Sequence, residues 1–295
     1  MSRIAYVNGR YLPIDRPAVA VEERGLQFAD GVYEVIKCVD GVPLDIDRHM
    51  ARLERSLGEL RIGMPTSRRA LAAIIGETLR RNRLRQAICY IQVGRGVAPR
   101  NHPFPRNVHP SLIVTVRRAI WPKPTEVERG VAVITMTDER WTRCDIKSVN
   151  LLANLLARQK ALEAGAREAW LYDDEGRVHE GSSSNAWIVD GEGRLVTHPL
   201  GPEILGGVTR SVVIELARDD GIEVVERPFT VAEAKAAREA FMTSTSSFVL
   251  PITSIDGHTV ANGMPGSTTL RLLALYRKWQ GLEATLADPV TCGRK

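Results

Sequence analysis

Near its middle the chain runs Trp121-Pro-Lys-Pro-Thr125. Two prolines in four residues remove two backbone donors and bias the residues before them away from helix, so this stretch is expected to be extended and helix-free. The hydrophobic periodicity on either side breaks at the same place. The 295 residues therefore read as an N-terminal domain (1–120), a linker (121–128), a C-terminal domain (129–285) and a tail (286–295) expected to be disordered.

In the first half, Ile4–Leu12 is two short apolar runs around Asn8-Gly9, the strongest local signal for a two-residue hairpin. Arg24–Gly31 reads as a glycine-punctuated loop, followed by a strand over Val32–Val39 that turns at Asp40-Gly41 into Val42–Ile46. Asp47 is placed as the N-cap of a helix with Met50, Leu53, Leu57 and Leu60 on its apolar stripe, which leaves Arg48, Arg52 and Arg55 on other, solvated faces. A second amphipathic helix is predicted over Ser67–Arg83, then strands at Ala87–Val93 and Leu112–Val116 with the loop 94–110 between them. Strands flanked by helices point to an α+β domain.

In the second half, Val131–Thr137 reads as a buried strand and Asn150–Ala164 as a helix stopped by Gly165, with Ser148 or Asn150 as its cap. Lys147 then stands at a strand-to-helix junction. A cation gains nothing from the positive end of a helix dipole, so the position invites a second explanation besides a solvated charge. Hairpins are expected at Asp173–Gly176, Asp190–Gly193 and Asp256-Gly257, and further helices at Thr209–Arg218 and Val231–Arg238.

Composition narrows the function classes. Hydrophobic residues make up 44% and charged residues 25%, ordinary values for a globular protein. The net charge of +5 is spread over several helices and comes without interleaved aromatics or a recognition motif, so no nucleic-acid partner is expected. Cys38, Cys89, Cys144 and Cys292 lack metal or disulfide spacing and read as reduced thiols. The N-terminus has no signal-peptide apolar region and no apolar run reaches the ~18 residues of a membrane span, so a cytoplasmic protein without membrane contact or metal is expected.

Four stretches are more polar than packing demands. His179–Asn185 carries Glu180 among serines. Leu205-Gly-Gly-Val-Thr-Arg-Ser211 opens a helix with two glycines and a hydroxyl, a ready anion site. Thr243–Ser247 is a run of hydroxyls after an apolar strand, suited to complete a phosphate cradle. Gly94–His102 presents Arg100 and His102 two residues apart, and arginine offers a planar fork for a carboxylate. Each alone reads equally well as a polar turn or a solvated basic loop. Together with Lys147 they describe pyridoxal phosphate chemistry: a lysine Schiff base, a carboxylate for the pyridine nitrogen, an anchored phosphate and a place for the substrate carboxylate.

Arg24-Gly-Leu-Gln-Phe-Ala-Asp-Gly-Val-Tyr-Glu34, Asp145–Leu152, Glu180–Asn185 and Gly206–Arg210, in this order, resemble the fold-type IV pyridoxal-phosphate aminotransferases, and within them the D-amino acid aminotransferases. The resemblance runs over nearly the whole chain. It implies a two-domain α+β fold, an N-terminal α/β sandwich and a C-terminal pseudo-barrel with helices, acting as a homodimer. It implies that Lys147 carries pyridoxal 5′-phosphate as a Schiff base and moves a proton, and that Glu180 pairs with the ring nitrogen. It further implies that Arg52, Thr209, the Val208 N–H, Thr245 and Ser244 hold the phosphate, that Ser184 belongs to the cofactor site, and that Tyr33, Arg100 and His102 trap the substrate carboxylate. The implied reaction passes an amino group from a D-amino acid such as D-alanine to a 2-oxo acid such as 2-oxoglutarate, in ping-pong fashion. A branched-chain L-amino acid aminotransferase and an aminodeoxychorismate lyase-like enzyme of the same fold are the alternatives. Relatives of those two kinds generally lack the Arg-x-His pair. Phe248 stands where family members often have a polar or acidic residue, and the tail beyond Gln280 has no counterpart; the first bears on side-chain preference.

Overall fold

The computed structural model describes residues 3–16 and 19–282. These divide into two compact units: residues up to Trp121 together with Trp141–Leu152, and Pro122–Arg140 together with residues from Ala153 on. The expected tail, 286–295, and Cys292 lie outside the described residues.

The first unit begins with the hairpin β1 (Ile4–Val7) and β2 (Arg10–Pro13), its turn made by Asn8 and Gly9 at φ 46° and 89°, as Asn-Gly allows. A short helix α1 (Arg24–Phe28) follows, then β3 (Gly31–Val39), β4 (Val42–Pro43), α2 (Ile46–Glu59), α3 (Arg68–Asn82), β5 (Ala87–Gly94) and β6 (Ser111–Arg118). The sheet order is β2-β1-β6-β5-β3-β4, with every pairing antiparallel. Helices α2 and α3 cover one face. Met50, Leu53 and Leu57 of α2 and Leu71, Ile75 and Leu79 of α3 pack into one core with Val32, Ile36, Cys89, Ile91, Val93, Val114 and Val116. Cys38 and Cys89 are buried thiols; burial pushes Cys38 up to about 12 and Cys89 well above its ordinary value, so neither is nucleophilic.

Three local expectations need correction here. Arg24–Phe28 is helical rather than loop, because Glu23 accepts from the Leu26 N–H and supplies the cap. Asp45, not Asp47, flanks the start of α2; Asp47 sits in the first turn, where its charge complements the helix dipole. Arg52 is not on a solvated face, since its side chain is only 10% exposed. The second helix is as read, with Ser67 accepting from Ala70 and Arg83 in the left-handed region at its end.

The second unit comprises α4 (Pro124–Arg129), β7 (Val131–Thr137), α5 (Leu152–Glu163), β8 (Glu168–Tyr172), β9 (Arg177–Gly181), β10 (Asn185–Val189), β11 (Leu195–Thr197), α6 (Val208–Asp219), β12 (Val224–Glu226), β13 (Phe229–Thr230), α7 (Val231–Ala236), β14 (Glu239–Ser244), β15 (Phe248–Ile255), β16 (His258–Thr259) and α8 (Ser267–Trp279). The prolines near 122 do not exclude helix: Pro124 opens α4, where its missing N–H is not needed and its φ is already helical. The mixed sheet runs β12-β11-β10-β14-β15-β7-β8-β9-β13, with β16 on β15, and curls so that β9 also lies beside β10. This is the pseudo-barrel expected. Its core stacks Trp187 on Phe241 at 5.4 Å and sets Phe229 edge-on to Trp170 at 5.9 Å.

Lys147 does not stand directly before a helix, and neither Ser148 nor Asn150 opens one. Helix α5 starts only at Leu152, and Ser148 Oγ accepts from Asn150 N inside an irregular turn. The dipole argument therefore does not apply, because that field fades within one turn. The lysine also groups with the first unit rather than with 129–285, since Ile146 packs in that unit's core and the flanking main chain pairs with β3. Among the described residues no helix is long and apolar enough to cross a membrane.

Candidate functional site

In the first unit, Lys147 is fixed through its main chain. Its carbonyl accepts from Tyr33 N at 2.9 Å, its N–H donates to Ser56 Oγ at 3.3 Å, and Val149 N donates to the Gly31 carbonyl at 3.0 Å. Beside it, Asp145 is gripped by Arg55 on α2 at 2.5 Å and by Arg143 at 3.0 Å. Burial raises the Asp145 carboxyl, but the arginine contacts win and hold it below its ordinary value. The half-buried Lys147 side chain places Nζ 4.3 Å from the centre of the Tyr33 ring, and Tyr33 stacks on Tyr90 at 5.6 Å. Two of the residues proposed from sequence are thus brought together.

Arg52 meets Glu34, which faces inward from β3 and is fully buried. Its Nε donates to Oε1 at 2.7 Å and its second nitrogen to Oε2 at 2.8 Å, while His49 Nδ1 lies 2.8 Å from Oε2. Burial alone would raise the Glu34 carboxyl, yet the Arg52 charge and the hydrogen bonds lower it to about 2. Burial lowers His49 despite the opposing pull of Glu34. We therefore assign an anionic Glu34 and a neutral His49 whose Nδ1 carries the proton, as an acceptor-only carboxylate requires. The arrangement gives the Arg52 guanidinium one fixed orientation.

Arg100 and His102 lie on an exposed loop, and both meet Phe28: the Arg100 guanidinium is 4.5 Å from the ring centre and the His102 ring 5.5 Å away.

In the second unit, Glu180 lies inside β9 and is 5% exposed. Arg140 donates to its Oε1 at 2.5 Å; Asn185 Nδ2 and Leu205 N each donate to Oε2 at 3.0 Å. Arg140 is held in turn by Asp138 at 2.7 Å, and Asp138 also lies 2.9 Å from His179 Nδ1. Burial raises Asp138, but the bonds from His179 and Arg140 more than offset it and keep it well below the carboxylate range. Sequence reasoning misses Arg140 and Asn185. The available signal for Arg140 is Asp138-Glu-Arg140, an acid and a base directly after a buried strand; Glu34 likewise falls on the same face of its strand as Val32 and Ile36.

Gly207 caps α6 with extended backbone, and a Cβ there would come within 2.1 Å of Asn185 Oδ1. The Val208 and Thr209 N–H groups open the helix, where no intrahelical carbonyl faces them. The Thr209 hydroxyl lies 3.5 Å from Tyr276. Ser244 Oγ accepts from Ser247 N and so shapes the turn that carries the half-buried Thr245. Ser184 directs its hydroxyl to Glu168 at 3.1 Å. Phe248, at φ 60°, is buried with its ring 5.1 Å from Tyr276.

The family model for amino-transferase class IV matches residues 31–255. The D-alanine aminotransferase of Bacillus licheniformis is 43% identical over 263 residues, 89% of this chain and 92% of that protein. The D-alanine aminotransferase of Staphylococcus haemolyticus is 36% identical over 274 residues, 93% and 96% of the two chains. Among solved structures, the branched-chain aminotransferase of the archaeon Thermoproteus uzoniensis with norvaline matches with a TM-score of 0.85 at 27% identity, covering 97% of this chain and 97% of that one.

The Glu34 cluster gives a signed pH dependence. Both Glu34 and His49 hold fewer protons folded than unfolded, so their stabilisation is present above the ordinary values and lost on acidification. The His49 part goes as pH falls below 6.5 and the Glu34 part between 4.5 and about 2. Glu34→Gln strands Arg52 and is expected to cost on the order of 3–5 kcal/mol at pH 7, read by urea unfolding, with the difference from the parent shrinking toward pH 3.

Proposed function

The chain belongs to the amino-transferase class IV family, and on that premise we propose that it transfers the amino group of a D-amino acid, D-alanine foremost, to a 2-oxo acid such as 2-oxoglutarate, using pyridoxal 5′-phosphate. The observation that carries the reading is Lys147, a half-buried amine on main chain tied to β3 and α2 and set over Tyr33. The choice of D-alanine rests on the likeness to D-alanine aminotransferases and on the Arg100-x-His102 pair.

The donor set fits the cofactor. Glu180 is a buried carboxylate with donors on both oxygens, and the open N–H groups of α6 with the Thr209 and Ser244–Thr245 hydroxyls suit a phosphate. When bound, the cofactor supplies an electron sink for negative charge at the substrate Cα. Lys147 would hold it through Nζ, and the same nitrogen would take the substrate Cα proton and return it. Glu180 would face the ring nitrogen and favour its protonated form, with Arg140 holding the Glu180 carboxylate in place. Val208 N, Thr209, Ser244 and Thr245 would hold the phosphate, Arg52 is the further phosphate ligand that the family resemblance implies, and Ser184 is held by Glu168. Arg100, His102 and Tyr33 hold the substrate carboxylate, so the handedness accepted is set by the clamp rather than by the lysine.

The solved structure compared above is one of several branched-chain aminotransferases that match, which keeps an L-branched-chain substrate as the second reading. A coupled assay with D-alanine, L-alanine and L-leucine separates the two: D-alanine is expected to turn over fastest, and L-leucine turnover above it would reverse the choice. Lys147→Ala should lose ~10³-fold or more in kcat, the scale of a lost acid–base group; full turnover by that variant would end the mechanism.

The homodimer expected from the resemblance is supported by α5, which exposes Leu152, Leu155, Leu156 and Leu162, each more than half accessible. Sedimentation should give twice the 32.6 kDa chain mass, and a monomer at working concentration would contradict it.

A further inference from the structure

The motif around Arg24–Gly31 and the loop with Arg100 and His102 are distant in sequence, yet the structure ties them together at many points. Arg24 N donates to the Gly96 carbonyl at 2.9 Å, Ala98 N to the Glu22 carbonyl at 3.2 Å, and Arg95 N to the Asp30 carbonyl at 3.0 Å. The Arg24 side chain is 3% exposed, and its guanidinium is divided among three acceptors: Asp30 Oδ2 at 2.7 Å, the Asn101 carbonyl at 2.5 Å and the His102 carbonyl at 3.2 Å. Asp30 is shared with Arg95, which meets it at 2.7 and 2.9 Å and also donates to the Leu60 carbonyl at 2.8 Å. The Phe28 ring then lies 4.7 Å from the Arg24 guanidinium and 4.5 Å from that of Arg100.

Residues 100–102 lie outside the sheet ladders, so no strand fixes where their side chains point. Arg24 supplies what a strand would have: it satisfies two successive carbonyls from a buried position, which sets the main-chain course at the clamp.

We propose that Arg24 is a positioning residue for recognition of the substrate carboxylate, holding the main chain of Asn101 and His102 with Asp30 behind it and Phe28 as the platform for Arg100. The proposal rests on the reading of Arg100 and His102 as the carboxylate clamp. It gives the Arg24–Gly31 motif a task apart from the cofactor.

The test uses the cofactor-loaded full chain with Arg24→Met, Phe28→Leu and Arg100→Ala. It reads KM and kcat for D-alanine, the inhibition constant of propionate as a carboxylate without an amine, and the visible absorbance of the cofactor. Arg24→Met should raise KM and the propionate constant roughly tenfold, the scale of a lost hydrogen-bonded charge, with kcat within about threefold and absorbance unchanged. Phe28→Leu should raise both by about two- to fivefold, as expected for a lost cation–π contact. If Arg100→Ala raises KM while Arg24→Met and Phe28→Leu leave it within about twofold, less than the loss of either contact predicts, the positioning role is overturned and the clamp stands. If Arg100→Ala changes neither constant, the clamp falls and the positioning role with it. If Arg24→Met loses kcat, absorbance and KM together, the residue is merely structural and the proposal fails. Should Arg24→Met not fold, Phe28→Leu decides by the same KM criterion.

Discussion

Strand β3 leaves the edge of its first residues unpaired by any other described strand, because β4 covers only Cys38 and Val39. An open edge needs partners for its N–H and carbonyl groups, and the segment Lys147–Val149 provides them through Tyr33 N and the Gly31 carbonyl. Much of the first unit's chemistry depends on this substitution. It fixes the lysine without a helix or a strand around it, it orients Tyr33 beneath Nζ, and it aims the next residue of β3, Glu34, into the core.

Burying Glu34 would be costly alone, and Arg52 with His49 is the answer to that cost. The same device recurs three times. Asp30 is paired by Arg24 and Arg95, Asp138 by Arg140 and His179, and Glu180 by Arg140 and Asn185. In each case a buried or half-buried carboxylate receives several donors, so its position is overdetermined. A group held in this way suits a reaction that needs a charge or a proton at a fixed point, because little reorganisation is left to do.

Much of this is legible in the sequence where the cause is local. Asn8-Gly9 dictates its hairpin, and Ser67 and Arg83 bracket their helix. The α+β class follows from the order of such elements, and the curled second sheet is what the family resemblance implies. What escapes depends on distant partners. The helix at Arg24–Phe28 relies on a Glu23 cap whose other oxygen is held by Ser111, and the membership of Lys147 in the first unit is decided by β3. Arg52 looks like one of several surface arginines because nothing near it in sequence reveals Glu34. Pro124 reads as a breaker although its position at a first helical turn makes it a starter, and α8 goes unread although Thr269, Leu272, Leu273 and Tyr276 recur at helical spacing before Gly281.

The central claim is that Lys147 is the residue that carries the cofactor. Borohydride reduction of the yellow protein, followed by proteolysis and mass mapping, addresses it directly. The account predicts a reduced pyridoxyl group on the peptide containing Lys147 and on no other. A modified Lys37 or Lys160, or a cofactor that stays free after reduction, would contradict it.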